Sequence, residues 1–139
     1  MNDMFNNVHP VRALSPAAAV TDNTAQVCEV TDRQGYGSLT YLIATGALAD
    51  ADATFTVLVE DSDDNVTFAA VTDDNLLGTE ALASFTFAAD NKCFKIGYVG
   101  VKRYVRATIT PANNTGNVFL AAIALLGKPN VQPTSNPPA

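Results

Sequence analysis

Two stretches of this 139-residue chain hold residue types able to do chemistry. In VLVEDSDDNVTFAAV, Asp61, Asp63 and Asn65 have the spacing of the first three ligand positions of an EF-hand calcium loop. The match then fails. Val66 stands where that loop needs glycine, Thr72 where it needs a bidentate glutamate, and no helical periodicity flanks it. A carboxylate-rich hairpin loop needs no ion, so no metal and no cofactor is expected. The second stretch, CFKIGYVGVKRYVRATIT from Cys93 to Thr110, gathers Lys102, Arg103, Tyr104 and Arg106. Three uses fit that set: an interface anchor rich in Arg and Tyr, a stacking platform for nucleic acid, or a solvated strand face with weak ion pairs.

The residues an enzyme needs are not arranged for catalysis. The one histidine, His9, precedes a proline near the N-terminus, and no Ser lies in a G-x-S-x-G elbow. Gly97 and Gly100 in GYVG sit where a strand ends and the next begins, which is turn or bulge chemistry and not a phosphate loop. Cys28 and Cys93 lie far apart within alternating runs, so both are expected as buried core thiols and not as a disulfide or metal pair. No enzymatic activity and no small-molecule substrate are expected.

Charge is segregated along the chain. Asp50 to Glu80 contains nine acidic residues and no basic one, whereas Lys92 to Arg106 contains five basic residues and no acidic one. The formal net charge of −6 opposes approach to phosphate, which disfavours direct nucleic-acid binding. The reading that remains is an interface in which Lys102, Arg103, Tyr104 and Arg106 meet an acidic surface, with Asp61, Asp63 and Asp64 of a second copy as one source of that acid. No apolar run reaches the roughly 18 residues of a membrane span, and the first residues do not read as a secretion signal, so cytoplasmic synthesis without membrane contact is expected.

The elements that must position these residues are short β-branched and aromatic runs punctuated by Gly, Asn, Asp and Pro. Eight strands are predicted: 25–30, 38–45, 54–60, 66–71, 82–88, 93–99, 103–110 and 117–126. TFTVLVE alternates most clearly, with Phe55, Val57 and Val59 on one face. Polar breaks at Asp61 to Asn65 and at Thr110 to Gly116 predict hairpins, and brief helical turns are allowed near Gly46 and between Val71 and Leu82. The class is all-β, a sandwich of two antiparallel four-stranded sheets. A jelly roll is favoured over an immunoglobulin-like sandwich because there is no Trp to pack on an intersheet disulfide. The expected organisation is an extended N-terminal arm at 1–16, a sandwich domain at 17–127 and a Pro-rich C-terminal tail at 128–139.

The order DRQGYGSLTYLIATGAL, TFTVLVEDSDDNVTFAAV, then YVGVKRYVRATITP and LLGKPNVQP resembles the small capsid cement, or decoration, proteins of tailed bacteriophages. The likeness covers Asp32 to Pro133. It implies a jelly-roll sandwich, often a homodimer, made in the host bacterial cytoplasm and placed on the outer capsid surface of an HK97-like virion. There it sits over joints between major capsid protein subunits and resists the pressure of packaged DNA. Two other readings stay open: a carbohydrate-binding sandwich module, and a tail or baseplate component.

Overall fold

The computed structural model describes residues 3–137, so residues 1–2 and 138–139, the ends of the two expected arms, lie outside the described residues. It is a sandwich of two antiparallel sheets. The first orders β1 (Val8–Leu14), β11 (Val118–Pro129), β4 (Tyr36–Leu48), β9 (Cys93–Tyr98) and β7 (Leu76–Leu77). The second orders β2 (Gln26–Val27), β10 (Tyr104–Ala112), β5 (Thr54–Ser62) and β6 (Ala69–Ala70), with β3 (Thr31–Asp32) also on β10 and β8 (Phe85–Thr86) also on β5. The chain crosses from one sheet to the other at every connection except β2 to β3 and the β5/β6 hairpin, as in a jelly roll.

Alternation builds the core. Leu39, Tyr41 and Ile43 of β4, Leu120, Ala122 and Ala124 of β11, Phe55, Val57 and Val59 of β5, and Val105, Ala107 and Ile109 of β10 all point inward and are buried. Burying each large apolar side chain contributes about 1.5–3 kcal/mol. Phe85 stacks between Phe55 and Phe94, with ring centroids 5.0 and 5.1 Å away. The Tyr41 hydroxyl satisfies itself across the sandwich by donating to the Val105 carbonyl at 2.9 Å, and burial pushes its pKa up. No helix among the described residues is long and apolar enough to cross a membrane.

Several sequence expectations need correction. The segment expected as a free arm contains β1, which pairs with β11 from Val8↔Gly127 to Leu14↔Ala122. Pro10 lacks an N–H, and an edge strand is where a sheet tolerates that. The tail folds back too: the Thr134 hydroxyl donates to the Val8 carbonyl at 2.6 Å and the Asn130 N–H to the Gly35 carbonyl at 2.8 Å. The run 82–88 is not one strand, because Thr79 caps a helical turn, α1 (Glu80–Ala83), by accepting the Leu82 N–H at 3.1 Å. That turn fills the gap between β6 and β8, where Glu80 and Ser84 side chains accept the Val59 and Val57 N–H groups of β5 at 2.7 and 3.0 Å. Strand 66–71 shrinks to Ala69–Ala70, and 25–30 is interrupted after Val27. Asp61 to Asn65 does lead into an antiparallel β5/β6 hairpin, but Thr110 to Gly116 is an arch, since β10 and β11 lie in different sheets. Cys28 is buried as expected; Cys93 is exposed, and both are free thiols.

Candidate interaction surface

The basic tract does not present its side chains as one strand face. β10 begins at Tyr104, so Lys102 and Arg103 belong to the loop before it, while Tyr104 and Arg106 lie on the outer face of the second sheet. Each cation already has a carboxylate of its own chain. Lys102 Nζ lies 3.2 Å from Asp61, Arg103 grips Asp32 through two hydrogen bonds of 2.9 and 2.7 Å, and Arg106 lies 3.4 Å from Glu60. The register explains two of these pairs: Tyr104 stands opposite Asp32, one residue from Arg103, and Arg106 stands opposite Glu60. The segregation of charge along the sequence is therefore offset at Lys102, Arg103 and Arg106, because β10 lies between β3 and β5, which carry Asp32, Glu60 and Asp61.

The acids divide by position. Asp61 is 7% exposed and turned into the sandwich, where it accepts the Tyr98 hydroxyl at 2.8 Å. It is held by its own chain and is not presented to a partner. Burial first, and then the bond to Asp61, pushes the Tyr98 pKa up to about 12. Asp64 accepts the Thr67 and Val66 N–H groups at 2.8 and 2.9 Å and the Ser62 hydroxyl, all through Oδ1, and these bonds hold its pKa down at about 2. Asp63 stays exposed at the turn. Asp61 is thus turned away from Asp63 and Asp64, and among the described residues no three His, Cys, Asp or Glu side chains are grouped as metal ligands.

What the cations build is a braced loop. Arg33 reaches across to donate to the Gly100 carbonyl at 3.0 Å and to the Lys102 carbonyl, with its guanidinium 5.6 Å from the Tyr98 ring centre. The Lys102 N–H donates to the Tyr98 hydroxyl at 3.2 Å. A Cβ on Gly100 would lie 2.4 Å from that hydroxyl oxygen, so the ring's close approach to the backbone is why glycine stands there. Arg103 lies over the Tyr104 ring at 4.9 Å and Arg106 over the Phe68 ring at 4.1 Å. At the tip of this scaffold Val101 is 91% exposed, with Val99 half exposed beside it.

A second surface escaped the sequence reading. On the outer face of the first sheet β11 shows Phe119, Ala121, Ile123 and Leu125, and β4 shows Leu42 and Ala44 beside the polar Ser38 and Thr40. The corresponding face of the second sheet is more polar, with Thr54, Thr56, Leu58 and Glu60 of β5 and Tyr104, Arg106, Thr108 and Thr110 of β10. The signal was legible in VFLAAIALLG, which is apolar at both parities, the pattern of a strand covered on both sides.

These features define the class as a jelly-roll β-sandwich. No protein-family model matches the chain, and no curated protein matches it in sequence. Among solved structures it is similar to the PBSX exported protein XepA, at TM-score 0.54 and 14% identity over 91% of this chain. This chain spans 39% of the length of XepA. Weaker likenesses are to latent PorU from Porphyromonas gingivalis, at TM-score 0.46, 7% identity and 87% of this chain against 12% of that one, and to a xylanase 10B fragment of Clostridium thermocellum with CBM22 and GH10 modules, at 0.45, 12% and 95% against 28%. At such identities the likeness shows the fold alone.

Proposed function

We propose that this chain is a structural virion protein that binds the outside of an HK97-like phage head and stabilises it by bridging major capsid protein subunits. The observation that carries the reading is the loop from Val99 to Arg103: an apolar tip, Val101, held out on a scaffold of ion pairs and clamped carbonyls. A tip ordered before contact loses little entropy on docking, so a small apolar anchor flanked in the chain by Lys102, Arg103 and Tyr104, with Arg106 further along β10, suits a repeated protein contact. The motif order supports the same reading and resembles in particular the cement protein of a short-tailed Bordetella phage. The basic residues thus act at the contact by bracing and flanking the tip. Two weak grips in a homodimer reinforce one another, because the second attaches at high effective concentration.

Co-sedimentation with emptied heads tests this. The parent chain is expected to pellet with heads, and Val101→Asp, at a site already in water, to remain in the supernatant with an unchanged melting temperature. Binding to a glycan array with no attachment to heads would replace this reading with the carbohydrate-binding one.

A further inference from the structure

The apolar face of the first sheet is the other feature that a lone sandwich leaves unexplained. We infer that it is covered by a second copy of this chain, the two five-stranded sheets stacking face to face. This deepens the homodimer within the proposed function but rests on different residues from the head-binding loop.

Area is the first argument. β4 and β11 are 13 and 12 residues long and are flanked by the shorter β1 and β9. At about 4.8 Å between strands and about 3.3 Å per residue these four strands present roughly 600 Å² in projection. Projecting side chains and the rim beside β7 raise the accessible area toward the about 800 Å² per partner of a stable interface. The centre is largely apolar, with Thr40 beside Leu42, Ala44, Ile123 and Leu125; Arg12 and Lys95 sit on the two flanking strands, and Ser38 and Lys128 lie toward the far ends of β4 and β11, the layout of an interface with a polar rim.

Charge is the second argument. The chain has 14 acidic residues, and none lies in β1, β4, β9 or β11. Eleven of the acids lie outside the strands and the three on the second sheet, Asp32, Glu60 and Asp61, are paired with cations, so the first-sheet face brings no carboxylate of its own strands into contact when two copies of net charge −6 meet through it.

Shape is the third. Along the β1 flank runs a groove of about 360 Å³ lined by Pro10, Leu14, Pro16, Ala121 and Ile123. On the opposite flank the exposed Leu77 and Leu82, Leu82 being 75% exposed, line a second hollow of about 510 Å³ together with Thr40, Cys93 and Lys95. A twofold axis parallel to the central strands lays each flank over the opposite flank of the partner, so the exposed leucines of one copy meet the β1 groove of the other twice, as an isologous interface requires. The same operation carries Lys95 toward the partner's Arg12–Glu29 pair, whose carboxylate, 2.8 Å from Arg12, offsets the repulsion between the cations.

The test is sedimentation equilibrium of the full chain, paired with alkylation of Cys93, which lies on this face opposite Ala44 in the register. The expected species has twice the 14.6 kDa chain mass. Ile123→Glu is expected to weaken the association at least 100-fold, whereas Thr56→Glu on the other sheet leaves it intact. In the unsubstituted chain Cys93 is expected to react at least tenfold more slowly in the dimer than after dilution to monomer, a readout that needs no variant. A monomer at about 100 µM overturns the inference, as does a dimer that Ile123→Glu leaves unchanged. A monomer that still binds heads assigns this face to the capsid protein and leaves the proposed function standing. A dimer that ignores heads sinks the function and leaves the inference.

Discussion

Tyr98 of the first sheet donates its hydroxyl hydrogen, at 2.8 Å, to the buried carboxylate of Asp61 on the second. Lys102 closes the same group from the loop side, its Nζ 3.2 Å from that carboxylate. One bond thus ties together the two sheets at the end of the sandwich that carries the exposed loop.

Removing that bond leaves a buried carboxylate short of a donor. Tyr98→Phe is expected to cost about 1–3 kcal/mol, read as a lower urea midpoint at unchanged slope. The pH signature is specific. The Tyr98 pKa is raised from 10.0 to about 12, so the stability it contributes is complete below pH 10 and disappears as pH rises toward 12. Tyr98→Phe is expected to remove that alkaline component, and an unaltered alkaline profile would show that another group produces it.

Asp64 gives the opposite sign. Its pKa is lowered from 3.8 to about 2, so its contribution is present above pH 3.8 and fades as pH falls through 2. Asp64→Asn is expected to speed amide exchange at Val66 and Thr67 relative to the parent at pH 5. That difference narrows in acid as the parent carboxylate protonates. Equal protection in both proteins at pH 5 would deny Asp64 its role in holding the turn.

The two thiols are expected to separate under a thiol-reactive disulfide at high dilution. Cys93 is exposed and reacts readily; Cys28 is buried, with its pKa pushed up by that burial to about 11, and reacts only on unfolding. Titration of one thiol in the native protein and two in guanidinium checks this.

Arg33 clamps the exposed loop through carbonyls and not through a carboxylate, so its loss is expected to act on dynamics before stability. Arg33→Gln should raise protease cleavage between Val99 and Arg103 several-fold while lowering the thermal midpoint by a few degrees at most. A several-fold weaker attachment to heads is expected with it, because the tip must then be ordered on contact.

Charge reversal at Arg103 and Arg106 is a poor probe of binding, since each new carboxylate would face Asp32 or Glu60. Neutral substitution is cleaner. A double-mutant cycle of Arg103→Gln with Asp32→Asn in urea unfolding is expected to give a coupling close to zero, because both side chains are 44% exposed and solvent screens the pair; a large coupling would show that the pair holds the loop.

The sequence by itself determined the class of fold and most of its central strands. In TFTVLVE the alternation of Phe55, Val57 and Val59 with threonine states which side faces a core, and that period is a local property of the chain. Local spacing also read β4, β9, β10 and β11 within a few residues. Tertiary structure alone decided what pairs with what. The Asn and Gly of Thr110 to Gly116 serve a hairpin and an arch equally well. Here the arch is fixed by Asp50, which accepts the Thr115 N–H at 2.7 Å from a loop 65 residues away. The Pro10 segment reads as an arm until β11 offers it an edge, and the basic tract reads as a free patch until β3 and β5 bring Asp32, Glu60 and Asp61 beside it. Pairing partners in a jelly roll are remote in sequence, so their complementarity is written across the chain and becomes visible only when the sheets close.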